Sequence, residues 1–469
     1  MKHRIPRFLA ESRALVQLAS PIILSQIAQV LMGLVDTVMA GQAGARERAV
    51  VGLGVALWIP VFISMMSIVQ ALSPIVAHHF GAGDHEAVAQ DTREGIWLAV
   101  FFSAVPFLLM PFVPALLRWA EIEPVLASRI VVFLWGIACG MPAALVFRAL
   151  AFYSASINHT RPMMVVAFGG LALNSFFNWV LINGHFGFPA MGGAGCGWAT
   201  AIGMWASLFA LAGWTAWAPA YRSTYVWRHW SRPSWAVQKR LLRVGLPMGG
   251  AALAEVTAFC SVAVLAGRFG AVQIAAHQVA MNFSSLVFML PMGLSSALSI
   301  RVGHAMGRGD ARTARFIAWT GVTLGLIIAA AAIVPIVLGR HDIAAIYSSD
   351  AAVRGMAATL LLFAAFWQLF DALQVSALGA LRGYKVTFGP MLMMALSFWG
   401  VGVPLGTWLG YHGTASSGPM QVYGFWVGLV AGLVLVSIGL AAMLRKVARE
   451  AVMPQLPAEA LPRQSTGTM

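Results

Sequence analysis

The stretch SPIILSQIAQVLMGLVDTVMAG, residues 20–41, decides the fold, because it is almost wholly apolar and carries one charged residue, Asp36. A helix of about 20 such residues is long enough to cross the hydrocarbon core of a bilayer. A second stretch, LPMGGAALAEVTAFCSVAVLAG at 246–267, aligns with the first at a shift of 226 residues and pairs Pro21 with Pro247. The sequence therefore predicts a membrane protein with an internal repeat.

The composition extends this prediction to the whole chain. The 469 residues are 59% hydrophobic and only 10% charged, with a mean hydropathy of +0.79, which is too apolar for a soluble domain. Apolar stretches of the required length recur from end to end, and the first lacks the cleavage site of a signal peptide. We predict twelve membrane-spanning helices, at residues 14–40, 50–76, 95–117, 130–153, 163–183, 192–217, 244–267, 273–299, 316–339, 355–380, 387–410 and 421–444.

The charge distribution predicts the orientation of these helices. The chain has 30 Lys and Arg against 16 Asp and Glu, a net charge of +14. With the N terminus in the cytoplasm, most of the basic residues fall in cytoplasmic loops and tails, as the positive-inside rule requires. Membrane topology thus explains the basic excess, and no nucleic-acid partner is expected. We predict a multi-pass protein of the bacterial inner membrane with both termini in the cytoplasm.

The repeat predicts how the twelve helices are grouped. Six helices per half bring the second half back in the same orientation, so the halves form two lobes related by an axis along the membrane normal. The expected parts are an N-terminal lobe at 1–217, a basic, Trp-rich cytoplasmic connector at 218–243, a C-terminal lobe at 244–447 and a disordered tail at 448–469. The predicted fold class is an all-α membrane protein with a substrate cleft between the lobes.

The repeat also contains a glycine motif, VAHHFGAGD ending at Asp84 and VGHAMGRGD ending at Asp310. Its GxGD resembles the motif of intramembrane aspartyl proteases, but each copy follows a helix end, which favours a turn. We expect Gly81 and Gly307 to be left-handed C-caps and the two aspartates to N-cap the next helices. The chain has no phosphate-binding loop and no HExxH motif, and its three cysteines lie in apolar spans. We therefore expect neither an enzyme nor a cofactor.

The placement of the acidic residues points to the chemistry. Of the sixteen Asp and Glu, thirteen fall in predicted loops or tails, Asp91 and Glu94 among them, and three lie inside spans: Asp36, Glu255 and Asp371. A charge at the centre of a span costs roughly 2.5–3.5 kcal/mol on insertion scales, so three of them call for a function. A buried carboxyl can exchange a proton, Na⁺ or a cationic substrate between two conformations. This is the chemistry of coupled transport.

Polar and aromatic neighbours share helix faces with these acids or with one another. Trp367 lies one turn before Asp371 and Gln374 three residues after it, which places a ring, a carboxylate and an amide on one side of a helix. An aromatic face attracts a desolvated cation. Further polar stripes at helical spacing are Asn174 with Asn178, and Gln278 with Asn282 and Ser285.

Each of these residues also has a structural alternative. An intramembrane acid could bond a neighbouring helix, the Asn and Gln stripes could join helices, and Trp367 could pack in a core. Arg148, the basic residue inside a span, could pair with an acid or with the connector.

Together, these motifs resemble the multidrug and toxic compound extrusion (MATE) family, NorM-like branch, over nearly the whole chain. The stretches that carry the resemblance are 20–41, 246–267, AAHQVAMNFSSLVFMLPMGLSSALSIRVGHAMGRGD at 275–310 and FDALQVSALGALRG at 370–383. The resemblance implies a cation-coupled efflux antiporter with two lobes in a V and alternating access. The implied substrates are bulky organic cations, with Na⁺ or H⁺ as coupling ion. We expect a monomer in the lipid bilayer.

The resemblance also implies site residues. The residues expected to couple the cation are Asp36, Glu255 and Asp371, of which Glu255 and Asp371 could bind Na⁺. The residues expected to line the substrate cavity are Trp367, Asn174, Asn178, Thr200, Gln278, Asn282 and Phe288. Trp367 stands where relatives commonly have tyrosine, which keeps the ring and removes the hydroxyl.

Two other functions stay open at this point. A flippase for lipid-linked or amphipathic substrates shares the two-lobe layout, but it predicts a more strongly charged central cavity than Arg148 alone provides. A passive channel would not need titrating acids in both lobes. The sequence offers little to distinguish Na⁺ from H⁺ coupling.

Overall fold

The computed structural model describes residues 4–228, 230–413 and 418–453, and these residues form helices without a strand. The α-helices are α1 (Arg4–Ala43), α2 (Ala45–Val69), α3 (Leu72–Gly81), α4 (His85–Phe102), α5 (Ala104–Leu109), α6 (Val113–Trp119), α7 (Pro124–Ser156), α8 (Arg161–Asn183), α9 (Gly193–Trp217), α10 (Trp235–Ala266), α11 (Ala271–Gly307), α12 (Ala311–Tyr347), α13 (Ala351–Gly383), α14 (Phe388–Ala395), α15 (Val403–Tyr411) and α16 (Val422–Glu450). The π-helical segment Leu396–Gly402 joins α14 to α15.

In the described part of the chain, twelve helical segments are long and apolar enough to cross a membrane. Every predicted span lies within one of them, apart from one residue at the start of three spans. Some segments consist of several helices in line: α2 with α3, α4 to α6, and α14 with the π-helical segment and α15. The prediction of an all-α membrane protein with twelve spans is confirmed.

The described residues shift two of the predicted boundaries. Helix α10 begins at Trp235, inside the predicted connector 218–243, so the end of that segment is helical. Helix α16 continues to Glu450, inside the predicted tail 448–469. Residues 454–469 of that tail lie outside the described residues.

Apart from the contacts that α1, α2 and α3 make with α10 and α11, the helices pack chiefly within two groups, the first and the second half of the chain. In the first, α8 packs on both α1 and α9, and α7 packs on α9. In the second, α13 is central and packs on α11, α12 and α16. Glycines allow close approach: a Cβ on Gly197 in α9 would lie 3.0 Å from the carbonyl carbon of Phe133 in α7, and one on Gly379 in α13 would lie 2.5 Å from the carbonyl oxygen of Ser295 in α11. This packing holds the helices that carry the candidate acids at fixed positions.

The two groups of helices, called lobes from here on, are joined at the end where α1 begins. Arg301 pairs with Glu11, with 2.6 Å between Nε and Oε1, and Gln26 Nε2 lies 3.7 Å from Met292 Sδ. Among the described residues, the hydrogen bonds between the lobes all lie between this end and the middle of α1. Beyond that point, Leu34 of α1 is exposed. The lobes therefore diverge toward the opposite end and leave a cleft.

Two histidines at the shift of 226 residues connect the lobes at the joined end. His78 Nε2 lies 2.7 Å from the carbonyl oxygen of Gly383 in the second lobe, and His304 Nε2 lies 2.6 Å from the carbonyl oxygen of Ser156 in the first. Because a carbonyl only accepts, Nε2 of each ring carries the hydrogen. The two contacts are equivalent: in one the first lobe donates the hydrogen bond to the second, and in the other the second lobe donates to the first.

The glycine motif forms a turn in both halves, as predicted. The side chains of Asp84 and Asp310 each accept a hydrogen bond from a backbone N–H three residues on, at 3.0 and 2.9 Å. Both are therefore N-caps, and the left-handed positions before them are Gly83 (φ 77°) and Gly309 (φ 76°).

The expectation that Gly81 and Gly307 are the left-handed residues is wrong. Both end helices in helical conformation, and each faces the other lobe. A Cβ on Gly307 would overlap the carbonyl group of His78, and a Cβ on Gly81 would overlap the backbone of His304. These glycines are needed for close approach between the lobes. We call His78, Gly81, His304 and Gly307 the cross-lobe joint.

Candidate functional site

The first lobe surrounds Asp36 with neutral hydrogen-bond donors. Asn178 Nδ2 donates to one carboxylate oxygen at 2.5 Å, and Thr200 Oγ1 donates to the other at 3.2 Å. Asn174 donates to Thr200 at 3.1 Å and accepts from Asn178 at 3.1 Å. Because α8 packs on both α1 and α9, its asparagines reach the acid of one neighbour and the threonine of the other. The structure thus brings the four residues into one buried network.

The second lobe brings Glu255, Asp371 and Gln374 together. Gln374 Nε2 donates to Glu255 Oε1 at 3.0 Å. Asp371 is 3% exposed, and its carboxylate lies close enough to Glu255 for electrostatic repulsion. In the part of the chain that the structure describes, no side chain donates a hydrogen bond to Asp371. Two facing carboxylates in a buried site favour a proton or a metal cation between them.

Trp367 lies inside the second lobe, one turn from Asp371. Its ring centroid is 5.4 Å from that of Phe259 and 6.1 Å from that of Trp426, and its side chain is buried. The structure therefore places Trp367 in the aromatic interior beside the acid, and not on the surface of the cleft.

Each acid site also contains an amide oxygen without a partner. Asn178 Oδ1 and Gln374 Oε1 are buried, and neither accepts a hydrogen bond from any described residue. Buried polar atoms of this kind normally have a partner. An amide oxygen beside a carboxylate suits a hard cation such as Na⁺, and it can also accept a hydrogen bond from a protonated carboxyl. The donor set of both sites therefore fits a small cation or a proton.

The predicted polar stripe of α11 lies on one exposed face of this helix. Near the middle of this helix, Met292 and Gly293 both contact α1, the first through Gln26 and the second through Ile23. At 3.6 residues per turn, residues 278, 282 and 285 lie on this same face, farther toward the open end. Gln278, Asn282 and Ser285 are exposed there, and Phe288 is half-buried at the edge of the face. Three exposed polar side chains thus share one face of α11.

Arg148 does not pair with an acid or with the connector, which were the two partners expected for it. The guanidinium donates to Gln26 Oε1 at 3.5 Å and to Gln29 Oε1. It lines a cavity of about 460 Å³, including the part open to solvent, between the lobes. Glutamines rarely mark a site by themselves, so this arrangement could not be predicted from the sequence.

The expectation that Asp91 and Glu94 lie in a loop is wrong. Both lie on α4 and are 1% exposed. Glu94 accepts hydrogen bonds from the Ser234 backbone N–H at 2.7 Å and from Gln238 Nε2 at 2.6 Å, and Asp91 pairs with Arg240. The two acids hold the connector and the start of α10 against the first lobe. Their partners are about 140 residues away in sequence, which hid the contacts from a local reading.

A second contact holds the connector to the end of α7. The hydroxyls of Tyr221 and Ser154 are 2.5 Å apart, and Thr224 bonds Tyr153. Burial raises the pKa of the Tyr221 hydroxyl, so this group keeps its proton. The connector is therefore packed against the first lobe through buried polar contacts at two places.

A model of the MatE family matches the chain twice, at residues 21–180 and at residues 247–408. The chain is 42% identical over 443 residues to the "Probable multidrug resistance protein NorM" of Chromobacterium violaceum, which covers 94% of this chain and 95% of the relative. It is 41% identical over 451 residues to the "Multidrug resistance protein PmpM" of Pseudomonas aeruginosa. This alignment covers 94% of this chain and 93% of the relative.

Solved structures show the same fold. A multidrug resistance MATE family transporter in an outward-facing conformation superposes with a TM-score of 0.85 at 18% identity, covering 94% of this chain and 97% of that one. The eukaryotic MATE transporter AtDTX14 superposes with a TM-score of 0.84 at 18% identity, covering 95% and 98%.

The family match and the named relatives, together with the membrane-length helices, define a multi-pass membrane transporter, and not an enzyme. The chain belongs to the MatE family, in which its relatives place it on the NorM-like branch.

Proposed function

We propose that this protein exports organic cations in exchange for Na⁺ or H⁺ by alternating access. The observation that carries the proposal is the pair Glu255 and Asp371, two acids in one membrane-buried site with Gln374 as the partner of Glu255. The names of the relatives, multidrug resistance proteins, support a drug-like substrate.

The coupling step follows from the charge of this site. When both carboxylates are ionised they repel each other, so a proton or Na⁺ that enters between them is held strongly. The orphaned oxygen of Gln374 provides a further ligand for Na⁺ or an acceptor for the proton. A cationic substrate competes for the same negative charge, so one cation displaces the other.

Asp36 provides a second exchange site in the first lobe. Its carboxylate already has two neutral donors, Asn178 and Thr200, which stabilise the ionised form. The Asn178 oxygen, which has no hydrogen-bond partner among the described residues, is a further ligand for a cation that binds there. With one cation site in each lobe, a cation can bind to or leave both lobes before the lobes move.

The movement itself requires the cross-lobe joint to open. In the present conformation the lobes are joined where α1 begins and diverge at the other end. With the N terminus in the cytoplasm, as the basic residues favour, this conformation is open to the outside. The inward-open conformation then breaks the two histidine contacts and separates the two glycine contacts.

A flippase is the weaker proposal. It requires a broad basic surface for lipid headgroups, whereas the helices that carry Arg148 and Arg382 belong to a set that also carries the acids Asp36, Glu255 and Asp371. The names of the relatives also favour drug efflux.

The test is ethidium transport in proteoliposomes that contain the purified protein. Ethidium efflux is measured with an imposed Na⁺ gradient, with an imposed pH gradient, and with neither. We expect efflux under one gradient only, which identifies the coupling ion. Equal flux without a gradient would indicate a channel, and no flux with a folded protein would contradict the proposal.

A further inference from the structure

Arg148 is a buried positive charge without an acid. Its side chain is 5% exposed, on α7 about two turns from the joined end of the lobes. Among the described residues, no carboxylate forms an ion pair with it. Its hydrogen-bond partners there are the neutral amides of Gln26 and Gln29. A buried guanidinium is normally paired with an anion, because the unpaired charge is costly in a membrane.

The cavity beside Arg148 is built by both lobes. Its polar lining comes from Gln26, Gln70 and Ser73 in the first lobe and from Ser296 in the second. These groups are uncharged, so the guanidinium sets the sign of the potential in the cavity.

A second arginine, from the other lobe, contacts the lining residue Gln70 without itself lining the cavity. Arg382 Nη1 donates to Gln70 Oε1 at 3.4 Å, and its Nε is buried without a hydrogen-bond partner among the described residues. Arg382 also acts on Glu255 electrostatically, which links the cavity to the acid pair of the second lobe. Arg148 is therefore the one arginine among the lining residues, and Arg382, which contacts the lining residue Gln70, is the one of the two with an acid near it.

We propose that the inter-lobe cavity binds a carboxylate of the transported substrate, with Arg148 as its ligand. This inference rests on the proposed efflux function and assigns the residue that holds an acidic group of the substrate. A guanidinium presents N–H groups in a planar fork that matches the two oxygens of a carboxylate. The cationic end of the same molecule is attracted by the acids of the lobes.

The chemistry fits a small anionic group, which could also be free chloride, so the experiment separates the two. The probes are tetramethylrhodamine, which has a free carboxylate, and its methyl ester, which does not. Binding of each dye to the purified protein in detergent is measured by fluorescence anisotropy, in chloride and in gluconate. The variants are Arg148→Gln, Arg148→Lys and, as a matched loss of charge at an exposed position, Arg354→Gln.

We expect Arg148→Gln to weaken binding of the carboxylate dye by about tenfold or more and that of the ester by less than about twofold, because a charge-assisted pair is lost only with the first dye. Arg148→Lys keeps the charge without the planar fork. Its loss of binding affinity should therefore be smaller than that of Arg148→Gln and again confined to the carboxylate dye. Arg354→Gln should match the wild type with both dyes.

An equal loss for both dyes in both Arg148 variants would overturn the proposal. So would a wild-type response to chloride that is the same for both dyes and disappears in Arg148→Gln, because the ligand would then be the free anion. If Arg148→Gln does not fold, the Lys variant decides. Ethidium efflux by the wild type is measured in parallel, and its failure would count against the proposed function instead.

Discussion

The cross-lobe joint offers a test of the proposed movement, through Gly307→Ala. The added methyl group would overlap the carbonyl oxygen of His78 and lie 2.9 Å from its carbonyl carbon. Backbone cannot yield as a side chain tip can, so the clash penalises the conformation in which the lobes are joined at this end. Overpacking of this kind costs about 1–3 kcal/mol.

This cost applies to one conformation only. The gain in helix propensity from Gly to Ala is present in both conformations and therefore cancels. A difference of about 1–3 kcal/mol shifts the ratio of joined to separated lobes by about 5- to 150-fold. Gly81→Ala should act in the same direction, since its methyl group would lie 2.7 Å from the His304 Cα atom.

The assay is the distance between two spin labels measured by double electron–electron resonance. The labels are placed on Arg161→Cys and Arg312→Cys, exposed positions of the two lobes at the joined end, in a chain without its three natural cysteines. We expect Gly307→Ala to move population from a short to a long distance.

The matched control for this substitution is Gly355→Ala. Gly355 also lies inside a helix, and a methyl group there would meet nothing within 4 Å. An unchanged distance distribution in Gly307→Ala, or the same shift in Gly355→Ala, would refute the reasoning.

Two further predictions concern the acid network and the connector. Asn178→Ala removes the 2.5 Å hydrogen bond to Asp36, worth about 1.5–3 kcal/mol for a charged acceptor, so gradient-driven ethidium efflux should fall about tenfold or more. Ser175→Ala on the same helix, which loses a bond to its own helix only, should keep normal efflux, and equal effects of the two would contradict the assignment. Glu94→Gln weakens the buried contacts to the connector, so trypsin should cleave the connector faster than in wild type, whereas the exposed Glu86→Gln should leave the rate unchanged.

The membrane fold was predictable because its signal is local and strong. A span such as 20–41 is recognised from its own residues, since the bilayer requires about 20 apolar residues in each helix. The acids Asp36, Glu255 and Asp371 were found for the same reason, because a charged residue inside an apolar span stands out without knowledge of its neighbours.

The remaining features depend on contacts between distant segments. Asp91 and Glu94 look like loop residues because the stretch around them is polar, but the connector buries them. The motif that ends at Asp84 contains two glycines. The sequence alone does not show which of them adopts the left-handed conformation and which packs against the other lobe. Only the approach of the other lobe gives Gly81 the packing role.

The repeat contained a further signal that the glycine pattern obscured. The motif has a histidine in both halves, His78 and His304, at the same shift as the glycines. A turn does not need a histidine three residues before its first glycine. This residue type, repeated at equivalent positions, indicates a contact outside the turn, and the structure places that contact between the lobes.

The central claim is that the buried acid pair of the second lobe couples an ion to export, and Asp371→Asn tests it most directly. This substitution keeps the size of the side chain and removes the charge that repels Glu255. Gradient-driven ethidium efflux is measured in proteoliposomes, with Asp342→Asn at an exposed position of α12 as the control. The account predicts that Asp371→Asn folds and inserts normally but loses gradient-driven efflux, whereas Asp342→Asn retains it. Normal efflux by well-folded Asp371→Asn would contradict the claim.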